Sequence, residues 1–186
     1  MNIGFAMCGS LCTLNSVFPV METLADVHTL IPIISSTCES VDSRFGAARD
    51  HTKRITDICG RPPISTVSEA EPIGPKKLLD ALIIAPCTGN TLAKLAHSIA
   101  DGPVTMAAKS HLRNGRPILI AVSTNDALAG AAENIGKLLA RKHYYFVPFG
   151  QDDPIQKPTS MVADFTKIPD ALALALEGKQ IQPILF

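Results

Sequence analysis

The sequence predicts an α/β fold built on one doubly wound, mainly parallel sheet with helices on both faces. Two observations predict it. Five short runs are almost continuously apolar, as parallel strands covered on both faces are. The segments between them carry apolar residues at helical spacing. Strand and helix alternate, which with right-handed crossovers gives a Rossmann-like sheet whose ligands bind beyond the carboxyl ends of the strands.

The first strand is Ile3 to Met7, followed by a polar turn and a helix from about Leu14 to Leu24. Leu11, Val17, Phe18 and Met21 fit either the core or a subunit interface. The second strand, Leu30 to Ile34, ends in Ser35-Ser36-Thr37. Gly60 to Pro75, with four prolines, reads as a long loop. The third strand is Ala81 to Ala85, and Leu92, Leu95, Ala96 and Ile99 mark the helix after it. The fourth is Ile118 to Val122, with Leu128, Ala131, Ala132, Ile135, Leu138 and Leu139 at helical spacing behind it. The fifth is Tyr144 to Val147, and Pro148 to Pro158 reads as a second long loop. Neither loop has the composition of a linker, so residues 1–186 are expected to form a single domain.

Composition narrows the function. Apolar residues make up 46% of the 186, enough for a full core, and charged residues only 18%. The low charge predicts surface covered by partner chains, with oligomerisation as the simplest form. Seventeen basic residues balance seventeen acidic ones, and no run of like charges is longer than a pair such as Lys76-Lys77, which argues against nucleic acid. No apolar stretch is long enough for a membrane span and no basic leader opens the chain, so a cytoplasmic protein is expected. Five cysteines, Cys8, Cys12, Cys38, Cys59 and Cys87, lack CxxC spacing and are expected to be buried free thiols. His97, His111 and His143 share no spacing that suggests a metal. His51 lies in Arg49-Asp50-His51-Thr52-Lys53-Arg54, whose charge predicts a solvated helix face.

Four strand-end loops are candidates for chemistry. In Cys8-Gly9-Ser10-Leu11-Cys12-Thr13, Gly9 permits a tight turn, and the Ser10 and Thr13 hydroxyls with the helix-start amides suit an anion. Helix capping is the competing reading. Ser35 to Thr37 add three hydroxyls, which turns often carry for their own sake. The most informative stretch is Ala85-Pro86-Cys87-Thr88-Gly89-Asn90-Thr91-Leu92, where the amides from Gly89 to Leu92 and the Thr88, Asn90 and Thr91 side chains make an anion- or ring-binding turn. The fourth loop, Ser123-Thr124-Asn125-Asp126, offers Thr124 and Asn125 as contacts once Asp126 is assigned to a cap.

The stretch Ala85 to Gly102, APCTGNTLAKLAHSIADG, resembles the Pro-Ala-Ser-Ala-Asn-Thr segment of the flavoprotein family that includes flavin-dependent cysteine decarboxylases and flavin prenyltransferases. The resemblance implies FMN at a subunit interface in a homo-oligomer, a trimer or larger. It implies that Gly9, Ser10 and Ser35 lie near the phosphate, that Thr88, Asn90, Thr91, Ser123 and Asn125 lie near the ribityl chain or ring, and that Gly89 and Thr124 belong to the same cofactor site. Segments 43–46, 69–76, 121–128 and 145–152 extend the resemblance over essentially the whole chain, to a branch that forms half of a two-component oxidoreductase in spore-forming bacteria. That implies oxidation of a cyclic dihydro-dicarboxylate in the mother-cell cytoplasm, beside a dehydrogenase-like partner expected to hold NAD(P). Among the loop charges Glu69, Glu71, Lys76, Arg113, Asp152, Asp153 and Lys157, Lys76 and Lys157 are the expected contacts for such a dicarboxylate. The decarboxylases of the family also use a late cysteine, and this chain has none after Cys87.

Overall fold

The computed structural model describes residues 1–186. Five strands form the parallel part of the sheet: β1 (Asn2–Met7), β2 (Thr29–Ile34), β3 (Ala81–Cys87), β4 (Ile118–Thr124) and β5 (Tyr144–Phe146). Their order is β2-β1-β3-β4-β5. Each coincides with an apolar run of the sequence to within a few residues, and β3 is buried along its whole length. Because the chain steps from β1 outward to β2 and then back across β1 to β3, the strand order reverses there. The loops after β1 and β3 therefore diverge to opposite faces, and a crevice opens between them.

Two short strands depart from the all-parallel expectation. β6 (Phe149–Gly150) and β7 (Met161–Ala163) pair antiparallel, and β7 runs antiparallel to Ser123 and Thr124 of β4. The stretch read as one loop from Pro148 thus begins with a strand that continues the sheet at its carboxyl end. Strands of two and three residues carry no periodicity by which a sequence can reveal them.

Eight helices cover the sheet. On α1 (Leu14–Ala25), Val17, Phe18 and Met21 are core residues, while Leu11 lies in the turn before the helix. The very short α2 (Ser36–Ser40) follows β2. α3 (Ala48–Cys59) buries Ala48, His51 and Ile55, a narrow stripe at i, i+3 and i+7, and Gly60 ends it in the left-handed conformation. His51 is therefore buried, contrary to the solvated face expected for it. Its ring stacks on Phe18 at 6.2 Å, and Arg54 lies over that Phe ring at 4.3 Å. The charges at 49, 50, 53 and 54 occupy the outer faces and mask the stripe.

The proline-rich stretch is also more ordered than a loop. Thr66 and Glu69 form a reciprocal capping box on α4 (Val67–Ala70), which runs into a 3₁₀ turn at Glu71–Ile73. Hydrogen bonds from the Thr66 hydroxyl and from the Ser65 and Thr66 amides hold the Glu69 carboxyl below its ordinary range. Glu69 is therefore a cap in this chain. α5 (Gly89–Ala96), α6 (Pro103–Leu112), α7 (Ala132–Leu139) and α8 (Ile168–Leu176) complete the layers. The free edge of β5 is covered by the Gln180 side-chain amide, which accepts from Phe146 N at 2.8 Å and donates to Phe146 O at 2.7 Å, in place of another strand. No helix is long and apolar enough to cross a membrane.

Two contacts fix α6 against the amino end of the sheet. A Cβ on Gly74 would sit 2.5 Å from the backbone oxygen of Ser110, so only glycine allows the 3₁₀ turn to pass this close to α6. His111, fully buried, makes a 3.0 Å hydrogen bond through Nε2 to Pro117 O, while its Nδ1 has no partner. Burial pushes the His111 pKa down to about 4; Arg116 acts the same way, and the Pro117 carbonyl and Asp80 oppose. The folded-state value lies below the value of about 6.5 in an unfolded chain, so the unfolded chain takes up the proton first. Stability is then full above about pH 6.5 and falls as the pH drops toward 4.

Two outcomes are expected. Gly74→Ala should lower the unfolding free energy by about 1–3 kcal/mol, read from the urea midpoint at pH 7.5. Between pH 7 and pH 5 the wild-type chain should lose about 2 kcal/mol that His111→Gln does not lose, read from urea unfolding of both at the two pH values.

Candidate functional site

The loops after β1, β2, β3 and β4 converge at the carboxyl end of the sheet. The β1 loop, Cys8 to Thr13, turns directly into α1. The Thr13 side chain does not cap that helix; it turns back and donates to the Ser10 carbonyl at 3.0 Å. Ser123, at the end of β4 and buried, lies 2.8 Å from the Ser10 hydroxyl and 3.0 Å from that of Thr13. With the 3.1 Å Thr13–Ser10 contact the three hydroxyls close a triangle contributed by two distant strand ends. Each can rotate its proton toward or away from the others, so the cluster can adapt to an anion or to a hydroxylated ligand.

Glycines set the spacing of these loops. A Cβ on Gly9 would meet the Thr37 side chain at 2.5 Å, so the β1 loop packs directly on the turn after β2. A Cβ on Gly89 would meet Asp126 Oδ1 at 2.6 Å and Thr124 Oγ1 at 2.9 Å, so the β3 loop packs in the same way on the turn after β4. Thr124 in turn donates to Asp126. Gly9 thus serves a close approach between loops as well as the tight turn that the sequence suggests, in which Ser10 N donates to Cys8 O at 2.9 Å.

Two adjoining cavities result. The larger, about 520 Å³, is lined by Gly9, Ser10, Thr88, Ser123, Thr124 and Asn125 among others. The smaller, about 250 Å³, shares Gly9 and Thr88 with it and adds Ser35, Asn90 and Thr91. Nine of the ten expected cofactor residues therefore line these two adjoining cavities, together called the trough. The tenth, Gly89, lies behind its wall against Thr124 and Asp126. The β3 turn is less open to a ligand than its sequence suggests: Thr91 N donates to the Thr88 hydroxyl and Leu92 N to Thr88 O, so only the Gly89 and Asn90 amides stay free. The Ser35 hydroxyl accepts from Cys38 N at 3.2 Å, a capping bond that leaves its own proton available.

The outer wall of the larger cavity is charged. Lys157 lies 3.1 Å from Asp152, and both face the cavity with Phe45 and Ser160. Burial works to raise the Asp152 pKa, but the Ser160 hydroxyl and Lys157 outweigh it and hold the carboxyl below its ordinary range. Lys76 lies in the turn before β3, at the amino end of the sheet, and lines neither cavity. The expected pairing of Lys76 with the site is thus not what the fold brings together: its loop leads into the wrong end of a strand.

The cysteines divide. Cys8 and Cys87 are buried beneath the trough, and Thr91 donates to Cys8 Sγ at 3.2 Å. A hydrogen bond from Cys87 holds Cys8 below its ordinary value against burial, helped by Thr91 and the Thr88 backbone, whereas burial pushes Cys87 well up. Cys38 is buried as expected, but Cys12 is exposed on the wall of the larger cavity and Cys59 is half-buried. Sequence reasoning missed Ser160, just before the short β7, and Val162 on it, and the start of α6 from Gly102 to Thr105, which closes the smaller cavity. Gly102-Pro103 is a helix-start signal that would have marked the second group.

The donor set fits a phosphorylated, polyhydroxylated cofactor: hydroxyls from four loops, bare glycine backbone at Gly9, and a trough in the size range of cofactor sites. Comparison with known proteins agrees. The chain is 44% identical over 184 residues to the B subunit of dipicolinate synthase from Bacillus subtilis (strain 168), covering 98% of this chain and 92% of the relative. The crystal structure of the corresponding B subunit from Bacillus halodurans C superposes with a TM-score of 0.91 at 42% identity, over 100% of this chain and 95% of that one. DmrB of Burkholderia xenovorans, solved in complex with FMN as a cubic cage for redox transfer, has the same fold: TM-score 0.70 at 17% identity, over 95% of each chain. The family model named Flavoprotein matches residues 1–172. From the hydroxyl-lined trough to the near end-to-end alignment these findings agree, and the chain belongs to the flavoprotein family.

Proposed function

We propose that this chain is the B subunit of a dipicolinate synthase, acting in the cytoplasm of the mother cell of a sporulating bacterium. In this reading it takes part in oxidising a dihydrodipicolinate-like intermediate to dipicolinate through an FMN site in the trough. The observation that carries the reading is the Ser10–Thr13–Ser123 hydroxyl triangle at the point where the strand order reverses. Gly9, Ser10 and Ser35 would hold the phosphate. Thr88, Asn90, Thr91, Ser123, Thr124 and Asn125 would hold the ribityl chain and the ring, with Gly89 keeping the loops in register. FMN, when bound, supplies a two-electron acceptor, and the organic chemistry is its own.

The chain's own residues bind and orient. Lys157 offers an ammonium to a substrate carboxylate, and Asp152 with Ser160 holds that ammonium at the cavity wall. Phe45 gives the same cavity an aromatic surface against which a flat ring can lie. In the same reading, the dehydrogenase-like partner of the synthase, holding NAD(P), completes the enzyme, and copies of this chain form a homo-oligomer. Decarboxylation is the weaker alternative, because no cysteine follows Cys87. A substrate-handling or scaffolding role is the remaining one.

Titration with FMN, followed by flavin absorbance and fluorescence, should show saturable binding, alone or with the dehydrogenase-like partner. Ser123→Ala should weaken it about tenfold, as loss of one hydrogen bond from a buried hydroxyl to the ribityl chain or ring does. No binding in either setting would leave the substrate-handling role. In the reconstituted two-component reaction, Lys157→Ala should raise the dicarboxylate KM about tenfold with kcat little changed, the signature of a group that binds ground and transition states alike. An unchanged KM would remove Lys157 from the site.

A further inference from the structure

Outside the trough, one cavity gathers charge that the site above does not use. It measures about 350 Å³ and lies between the end of α5, the outer face of α6 and the start of β5. Leu95, Ile99, Leu112 and Tyr144 make its apolar walls, and Lys109, Arg113 and Arg141 bring three cations to it. No carboxylate lines it. None of the three cations belongs to any of the chain's nine ion pairs, although nine of the seventeen basic residues do.

The three are placed by different means. Lys109 and Arg113 are one helical turn apart on α6 and exposed. Arg141 is braced: it donates to Leu95 O at 3.1 Å and to Ala96 O at 2.7 Å, which fixes its guanidinium at the carboxyl end of α5 with N–H groups to spare. Tyr144, mostly buried, has its pKa pushed up to about 12 by that burial against the pull of Arg141, so its hydroxyl keeps its proton and can donate. Apolar walls with positive charge and a neutral O–H donor, and no negative group, describe a receptor for an anion with an apolar body. Like charges gathered without a counter-ion repel one another, and a bound carboxylate relieves that repulsion.

We infer that the cavity formed by Lys109, Arg113, Arg141 and Tyr144 is a second ligand site, for small carboxylates that carry a flat apolar ring. It lies close behind the trough: Thr105 lines both this cavity and the smaller part of the trough. Helix α5 spans the distance, with Thr88 at its start in the trough and Leu95 at its end here. The inference does not depend on flavin binding.

Calorimetric titration of the flavin-free chain with benzoate, benzene-1,3-dicarboxylate and the uncharged benzamide tests it. Saturable binding of both carboxylates and none of benzamide is expected. The double variant Lys109→Ala/Arg113→Ala should bind at least about tenfold more weakly, with an unchanged melting temperature, since both side chains are on the surface. The titrations are made in the Lys157→Ala background, so that the carboxylate contact proposed for the trough does not contribute. Absence of saturable carboxylate binding in that background, or binding there that the double variant retains, would overturn the assignment.

Discussion

The constraint on which the candidate site depends is the position of β1 between β2 and β3. A chain that leaves the central strand in one direction and later recrosses it must separate the loops after β1 and β3 at the carboxyl end, and no side chain from within the sheet fills the gap. The polar residues of the trough come mainly from the loops on either side of that gap and from the turns after the neighbouring strands β2 and β4. The glycines at 9 and 89 then set its width, because each lets one loop touch another where a single methyl group would push them apart. The site is thus a product of topology first and of side-chain chemistry second.

That order explains what can be read from the sequence. Continuous apolar runs give parallel strands, and parallel strands give a carboxyl-end crevice, so Ser10, Ser35, Thr88, Asn90, Thr91, Ser123 and Asn125 are all legible as strand-end residues without any knowledge of contacts. Their mutual geometry is not. The Ser10–Ser123 contact joins residues 113 positions apart, and nothing local to either announces the other. The misread residues share a physical reason as well. His51 is buried by a stripe of only three residues within a strongly charged helix. Lys76 is in a loop of the right composition at the wrong end of a strand. Cys12 is exposed because the turn after β1 carries it out to the cavity wall.

The electrostatics of the trough are mild, as the balanced composition foreshadows. Two ion pairs, Lys157–Asp152 at the larger cavity and Lys94–Asp101 at the smaller, supply its full charges, while the inner wall is built from hydroxyls that satisfy one another. A neutral cluster of this kind avoids the desolvation penalty of a buried charge, and it can still donate to an anion when one arrives. The buried thiols Cys8 and Cys87 complete the floor without offering a reactive group to the solvent. Hydroxyls arranged in this way can orient a bound ligand without reacting with it, and the chain belongs to the flavoprotein family.

In the proposed function, flavin sits in the crevice at the strand-order reversal. A crystal structure of the chain grown with FMN tests it most directly. Flavin density is expected in the trough, with the phosphate within hydrogen-bonding distance of the Ser10 loop or the Ser35 turn and the ring approaching Asn90, Ser123 or Asn125. Density at another surface, or an empty trough in crystals grown at saturating FMN, would contradict it.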